Sequence, residues 1–146
     1  MISDFLTDDH QRCDRLFAAA EERASQGDWE AAKSAFEAMR SATEAHFRME
    51  EAVFFPEFEA ATGMTMGPTQ VMRQEHAQMR GLFDTMAEAI ANQDVEGYLG
   101  ASETLLILMQ QHNAKEEQIL YPMLDGHLQS QAEDLMARAR AVQGDG

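Results

Sequence analysis

Sliding the chain along itself by 66 positions superposes two histidine pairs at once, His10 on His76 and His46 on His112. The same ungapped offset sets Leu16 and Phe17 on Leu82 and Phe83, Asp28 on Asp94, Glu30 on Glu96 and Glu37 on Glu103. Further along it sets Glu50, Glu51 and Pro56 on Glu116, Glu117 and Pro122. Across residues 10–61 twelve positions are identical, where composition alone would give about three or four. The chain is a duplicated unit, and what one half folds into the other must repeat.

Each half reads as helix, short turn, helix. Helix formers (Ala, Glu, Gln, Met, Leu, Arg) dominate throughout and strand signals are scarce. The first turn is Ser25-Gln26-Gly27-Asp28, with Asp28 as N-cap of the second helix; its counterpart is Asn92-Gln93-Asp94, with Asp94 capping the fourth. Between the halves lies Thr62-Gly63-Met64-Thr65-Met66-Gly67-Pro68, a loop whose proline can open the third helix. Short connections make antiparallel neighbours. The expected fold is therefore an all-α, up-down-up-down four-helix bundle, a single domain over 1–146 with its core at about residues 5–128. A short accessory helix is expected over 131–142, packed outside the bundle or trailing from it, and Gly144, Asp145 and Gly146 are expected to fray.

The repeat becomes a site through helix geometry. From His10 to the first turn is roughly 22 Å of helix, and from Asp28 to His46 roughly 27 Å, at about 1.5 Å per residue. The two histidines return to nearly the same level on neighbouring antiparallel helices. The second half repeats this, so four imidazoles can converge on one layer of the core. Glu50 follows His46 by four residues and Glu116 follows His112 by four, which places each carboxylate on the same helix face as its histidine. Two facing carboxylates can bridge two cations at the roughly 3.5–4 Å separation of binuclear sites. Imidazole with carboxylate suits iron or manganese, and zinc is an acceptable substitute. A lone histidine on an apolar face is ordinarily a packed residue; here four of five histidines fall at duplicated positions, two of them followed by glutamate.

Composition narrows the partners. With 26 acidic against 11 basic residues the formal net charge is −15, which disfavours nucleic acid and anionic membrane surfaces, where Lys and Arg must meet phosphates. The 45% hydrophobic content suffices for one core, and no apolar run approaches the roughly 18 residues of a membrane span. The start, Met1-Ile2-Ser3-Asp4-Phe5, lacks a signal-peptide pattern, and Cys13 is the single cysteine. A cytoplasmic location is expected.

The order His10, then His46-Phe47-Arg48-Met49-Glu50, then His76, then His112-Asn113-Ala114-Lys115-Glu116 resembles the HHE cation-binding pattern of hemerythrin-like proteins. Glutamate pairs followed by Phe54-Phe55-Pro56 or Leu120-Tyr121-Pro122 strengthen the likeness. The resemblance implies a pair of iron ions, with His10, His46, His76 and His112 as ligands and Glu50 and Glu116 as bridging carboxylates. One position departs from the pattern: oxygen-carrying hemerythrins have a further histidine one turn after the third, and Arg80 stands there. A more open site follows, with exchangeable positions for water, peroxide or NO. Asp14, Glu51, Glu75 and Glu117 are candidates for an extra oxygen ligand, though each is more simply solvated or placed behind the ligands. Glu117, at i+5 from His112, matches a bridging acid of oxygen carriers; Glu116 is preferred because it pairs with Glu50 in the repeat.

Other residues read more plainly. Cys13 suits a buried small apolar position, Tyr121 a helix-end packing role ahead of a hydrogen-bond donor to a reactive centre, Trp29 the bundle end, and the eleven methionines core gaps. His127 aligns with Ala61 and gains no support as a ligand, while Pro56 and Pro122 are expected to kink or end their helices. The expected function is binding of O2, NO or peroxide at a carboxylate-bridged iron pair, for sensing, scavenging or storage. A peroxidase- or catalase-like enzyme and an iron-responsive interaction module are the competing classes. A ferritin-like ferroxidase fits less well, since that architecture uses Glu-x-x-His pairs and this chain has His-x-x-x-Glu.

Overall fold

The structure, a computed structural model, describes residues 1–144. Its helices are α1 (Ile2–Ser25), α2 (Trp29–Met49), α3 (Phe55–Thr62), α4 (Pro68–Ala91), α5 (Val95–Lys115), α6 (Tyr121–Leu128) and α7 (Ala132–Gly144). No strand occurs among the described residues, and no helix is long and apolar enough to cross a membrane. α1 packs along α2, and α4 along α5, as antiparallel pairs of the four-helix bundle.

The duplication extends to individual hydrogen bonds in the turns. Asp28 N–H donates to the Arg23 carbonyl at 3.2 Å, and its repeat mate Asp94 N–H donates to the Ala89 carbonyl at 2.9 Å. The residue before each is left-handed: Gly27 at φ 71° and Gln93 at φ 54°. Glycine takes that conformation without strain, whereas glutamine must force its Cβ against the following carbonyl. Both aspartates cap as expected, Asp28 accepting from Ala31 N–H at 3.3 Å and Asp94 from Gly97 N–H at 2.9 Å.

The prolines do not end their helices. α2 passes into α3 through a π-helical turn, Glu50–Phe54, and α5 passes into α6 through another, Glu116–Leu120. Phe55 N–H bonds the Glu50 carbonyl and Tyr121 N–H the Glu116 carbonyl, five residues back. Pro56 and Pro122 lie in the first turn of the helix that follows, where a missing N–H costs little. The widened turn absorbs the proline, so the rod continues instead of breaking.

Two apolar clusters fill the bundle. One, toward the short turns, includes Phe17, Phe36, Met39, Phe83, Met86, Tyr98 and Leu105. The other, toward the opposite end, includes Leu6, Val53, Phe54, Phe58, Leu124 and Leu128. Along every long helix the histidines and glutamates of interest fall between these two clusters. α7 adds Leu135 and Ala139, both fully buried, to the second cluster. It remains helical to Gly144; Asp145 and Gly146, also expected to fray, lie outside the described residues. Cys13 is buried and Trp29 packs against the cluster at the turn end, in line with their plain readings.

Candidate metal centre

All six residues singled out from the repeat meet in one layer. They form two overlapping groups, His10, His46, Glu50 and Glu116, and Glu50, His76, His112 and Glu116. Within each group one ligand atom per residue lies within 4.8 Å of the others. Glu50 and Glu116 belong to both groups, and both are completely buried. Glu50 spans the two halves: its Oε2 is 3.4 Å from His46 Nε2 and its Oε1 is 3.0 Å from His76 Nε2. Glu116 Oε1 lies 3.0 Å from His10 Nε2 and 3.2 Å from His112 Nε2.

Behind the inward-facing Nε2 atoms stands a second ring of carboxylates. His10 Nδ1 donates to Glu117 at 2.7 Å and His76 Nδ1 to Glu51 at 2.7 Å. His46 Nδ1 donates to Asp9 at 2.8 Å and His112 Nδ1 to Glu75 at 2.8 Å. Both pairs obey the 66-residue offset. With each Nδ1–H donated outward, the Nε2 lone pair is turned to the centre, the carboxylate–histidine arrangement that orients metal-binding imidazoles. Glu51, Glu75 and Glu117 therefore sit behind the histidines, and Asp14 is exposed on the surface of α1.

Burial pushes against charge here, yet the pairs prevail. Desolvation alone would lower the His46 imidazole, but the Glu50 carboxylate and the Asp9 hydrogen bond hold it well above its ordinary value. His112 is likewise pushed up to about 9, burial being outweighed chiefly by Glu116. Against the opposing effect of burial, His76 and Arg80 bring Glu51 down to about 2, and His46 and Arg12 bring Asp9 to about 2. The hydroxyl of Tyr121 is pushed up by burial beside Glu116 and Glu50.

The decisive test of fit is what remains unsatisfied. Glu50 Oε1, His76 Nε2, His112 Nε2 and Glu116 Oε2 are buried and have no hydrogen-bond partner, although His76 Nε2 and Glu50 Oε1 are only 3.0 Å apart. The four residues that carry them are the members of the second donor group. Orphaned buried polar atoms are costly and rare, and four in one group are the donor set of a cation. A model of the Hemerythrin HHE cation binding domain matches residues 1–124. The chain belongs to the hemerythrin HHE cation-binding family. No curated protein and no solved structure matches it significantly.

Within this family pattern Arg80 gains a definite task. Its guanidinium donates to Glu51 Oε1 and Oε2 at 3.0 Å each, and to Glu44 at 3.0 Å. It lies 5.2 Å from the Phe47 ring, directed away from the donor atoms. Where a fifth histidine would enter, the hemerythrin-like chain has instead a clamp on the carboxylate that orients His76. Phe47 stacks on that same imidazole with centroids 3.9 Å apart.

Two features, Asp9 and the π turns, escaped the sequence reading, and a third, Tyr121, was ranked low. Asp9 was not singled out, though Asp9-His10 and Glu75-His76 are matched acid–histidine pairs in the repeat and would have pointed to it. Tyr121 takes the lesser of its two expected roles: its hydroxyl is a hydrogen-bond donor in the centre, 2.6 Å from Glu50 Oε2. The π turns carried no clear sequence signal. In an α-helix a residue five positions on lies about 140° around the axis; the i→i+5 turn at Glu116 swings Tyr121 back over it, at 3.0 Å. His127, edge-on to Phe58 at 5.7 Å, belongs to neither donor group.

Proposed function

We propose that the chain is a non-haem di-iron protein that binds O2, NO or peroxide at a carboxylate-bridged iron pair, for sensing, scavenging or short-term storage. The observation that carries this reading is the sharing of Glu50 and Glu116 by both donor groups, with four buried atoms unpartnered. His10 and His46 would hold one iron and His76 and His112 the other, with the two glutamates between them. Mixed imidazole and carboxylate donors favour iron or manganese, with zinc a weaker competitor. Ferrous iron with an exchangeable position supplies the binding or reduction of a small ligand.

The chain's own part is to orient, neutralise and exclude. Four Nδ1–carboxylate hydrogen bonds fix the imidazoles, and the apolar clusters on either side keep bulk water out. Each donor group offers four atoms, fewer than an octahedral ion takes, so room remains for an external ligand. A void of about 10 Å³ beside His10 and His46 is lined also by Cys13, Thr43, Phe47, Met109 and Asn113, close to the smallest volume that holds one water. Met109 and Asn113 also line the open groove between α1 and α5.

Iron content per chain, measured with the visible spectrum before and after O2, NO and peroxide, tests the reading. About two irons and a stable ligand-dependent spectral change are expected. Repeated consumption of peroxide without a lasting change would make the chain a peroxidase- or catalase-like enzyme instead. Near-zero metal after careful reconstitution would end the di-iron reading.

A further inference from the structure

The duplication breaks at Tyr121, and it breaks inside the site. The repeat mate of Tyr121 is Phe55. Both rings stack on the equivalent histidine, Tyr121 on His10 at 5.4 Å and Phe55 on His76 at 6.0 Å. Between these mates the tyrosine alone carries an oxygen. That oxygen lies 2.6 Å from Glu50 Oε2, 3.0 Å from Glu116 Oε1, 3.0 Å from His10 Nε2 and 3.2 Å from His46 Nε2. It touches one atom from every member of the first donor group. A hydroxyl has one proton and two lone pairs and cannot satisfy four such neighbours together. Among the described residues no such oxygen is hydrogen-bonded to the imidazole nitrogens of the second group, His76 Nε2 and His112 Nε2, which are left orphaned.

On the binuclear reading above, we propose that the Tyr121 oxygen is a metal ligand at the His10–His46 position, and that the His76–His112 position has no counterpart. A cation held by His10, His46, Glu50 and Glu116 sits about 2.0–2.2 Å from their donor atoms. An oxygen already in contact with all four must then either join the coordination shell or leave. It has nowhere to go. Tyr121 is fully buried, its ring is held against His10, and its backbone is fixed by the π turn that begins at Glu116. Metal ligands bind deprotonated, so the phenolic proton leaves to solvent on loading, and the resulting hard, anionic oxygen suits ferric iron. The two metal positions thereby differ: one gains an anionic fifth ligand from the chain, the other keeps four.

Ferric-loaded wild type and Tyr121→Phe report on this directly, by iron content, visible absorption and resonance Raman spectra. The wild type is expected to show phenolate-to-iron charge-transfer absorption with enhanced tyrosine ring vibrations. Tyr121→Phe should keep about two irons and lose both signals. Tyr98→Phe, which alters the other of the two tyrosines, in the apolar cluster at the turn end, should keep them. Two irons without the charge-transfer band in wild type, or a band that survives Tyr121→Phe, overturns tyrosine ligation and leaves the binuclear reading standing. A wild type that takes up no iron overturns both.

Discussion

Replacing Asp9 by Asn tests whether the outer carboxylates set the affinity of the centre. Asp9 accepts from His46 Nδ1 at 2.8 Å, from Arg12 Nε at 2.8 Å and from Gln143 Nε2 at 3.1 Å. An asparagine oxygen can still accept from one of these, but the charge that makes His46 a stronger donor is gone. Loss of such a carboxylate costs about 10- to 100-fold in metal affinity, roughly 1.4–2.8 kcal/mol. Arg12 is partly exposed and regains water, so the loss falls mainly on the imidazole. Glu75→Gln is the same experiment in the second half, since Glu75 holds His112 Nδ1 at 2.8 Å. Because the donor groups of His46 and His112 share Glu50 and Glu116, the two effects should be coupled, and the double variant should depart from their simple product. Anaerobic competition for Fe(II) against a chromophoric chelator measures this, with circular dichroism as a check on folding. Folded variants whose affinity stays within about twofold of wild type would refute the orienting role.

His112→Ala is expected to remove most bound iron, whereas His127→Ala, which alters a residue outside both donor groups, should leave metal analysis unchanged. Gln93→Gly relieves a left-handed glutamine and should raise stability by about 0.5–1 kcal/mol, read as a higher urea midpoint; a lower midpoint would mean the Gln93 side chain holds the turn. For the metal-free protein, the raised His112 contributes stability that is full below its ordinary 6.5 and is lost as pH rises through about 9. Glu51 acts in the opposite sense, its contribution full above 4.5 and lost as pH falls through about 2. Urea unfolding across pH should therefore place the stability maximum of the metal-free protein between these ordinary values, and a steady rise to pH 9 would contradict it.

On the di-iron reading, metal and fold are linked through buried charge. Two glutamates with no exposed surface sit between two apolar clusters, where an uncompensated charge costs several kcal/mol. In the metal-free chain the raised imidazoles supply the opposing charge; two divalent ions supply it more completely. Metal removal should accordingly lower the thermal midpoint without abolishing the helices, because most of both apolar clusters lies away from the centre.

Much of this was legible in the chain itself because it depends on local spacing. A 66-residue offset, two aspartate caps and His-x-x-x-Glu on a helix face fix four helices, their antiparallel order and the meeting of His10, His46, Glu50, His76, His112 and Glu116. These are properties of periodicity, and periodicity survives whatever the neighbours do. What the tertiary structure decided lies between helices distant in sequence. Asp9 serves His46 on the next helix and not its neighbour His10; Arg80 turns outward to Glu51 and Glu44; Tyr121 reaches the centre through a π turn that α-helical spacing would have placed elsewhere. Each depends on where a side chain points once two rods are packed together, which spacing along one helix cannot specify.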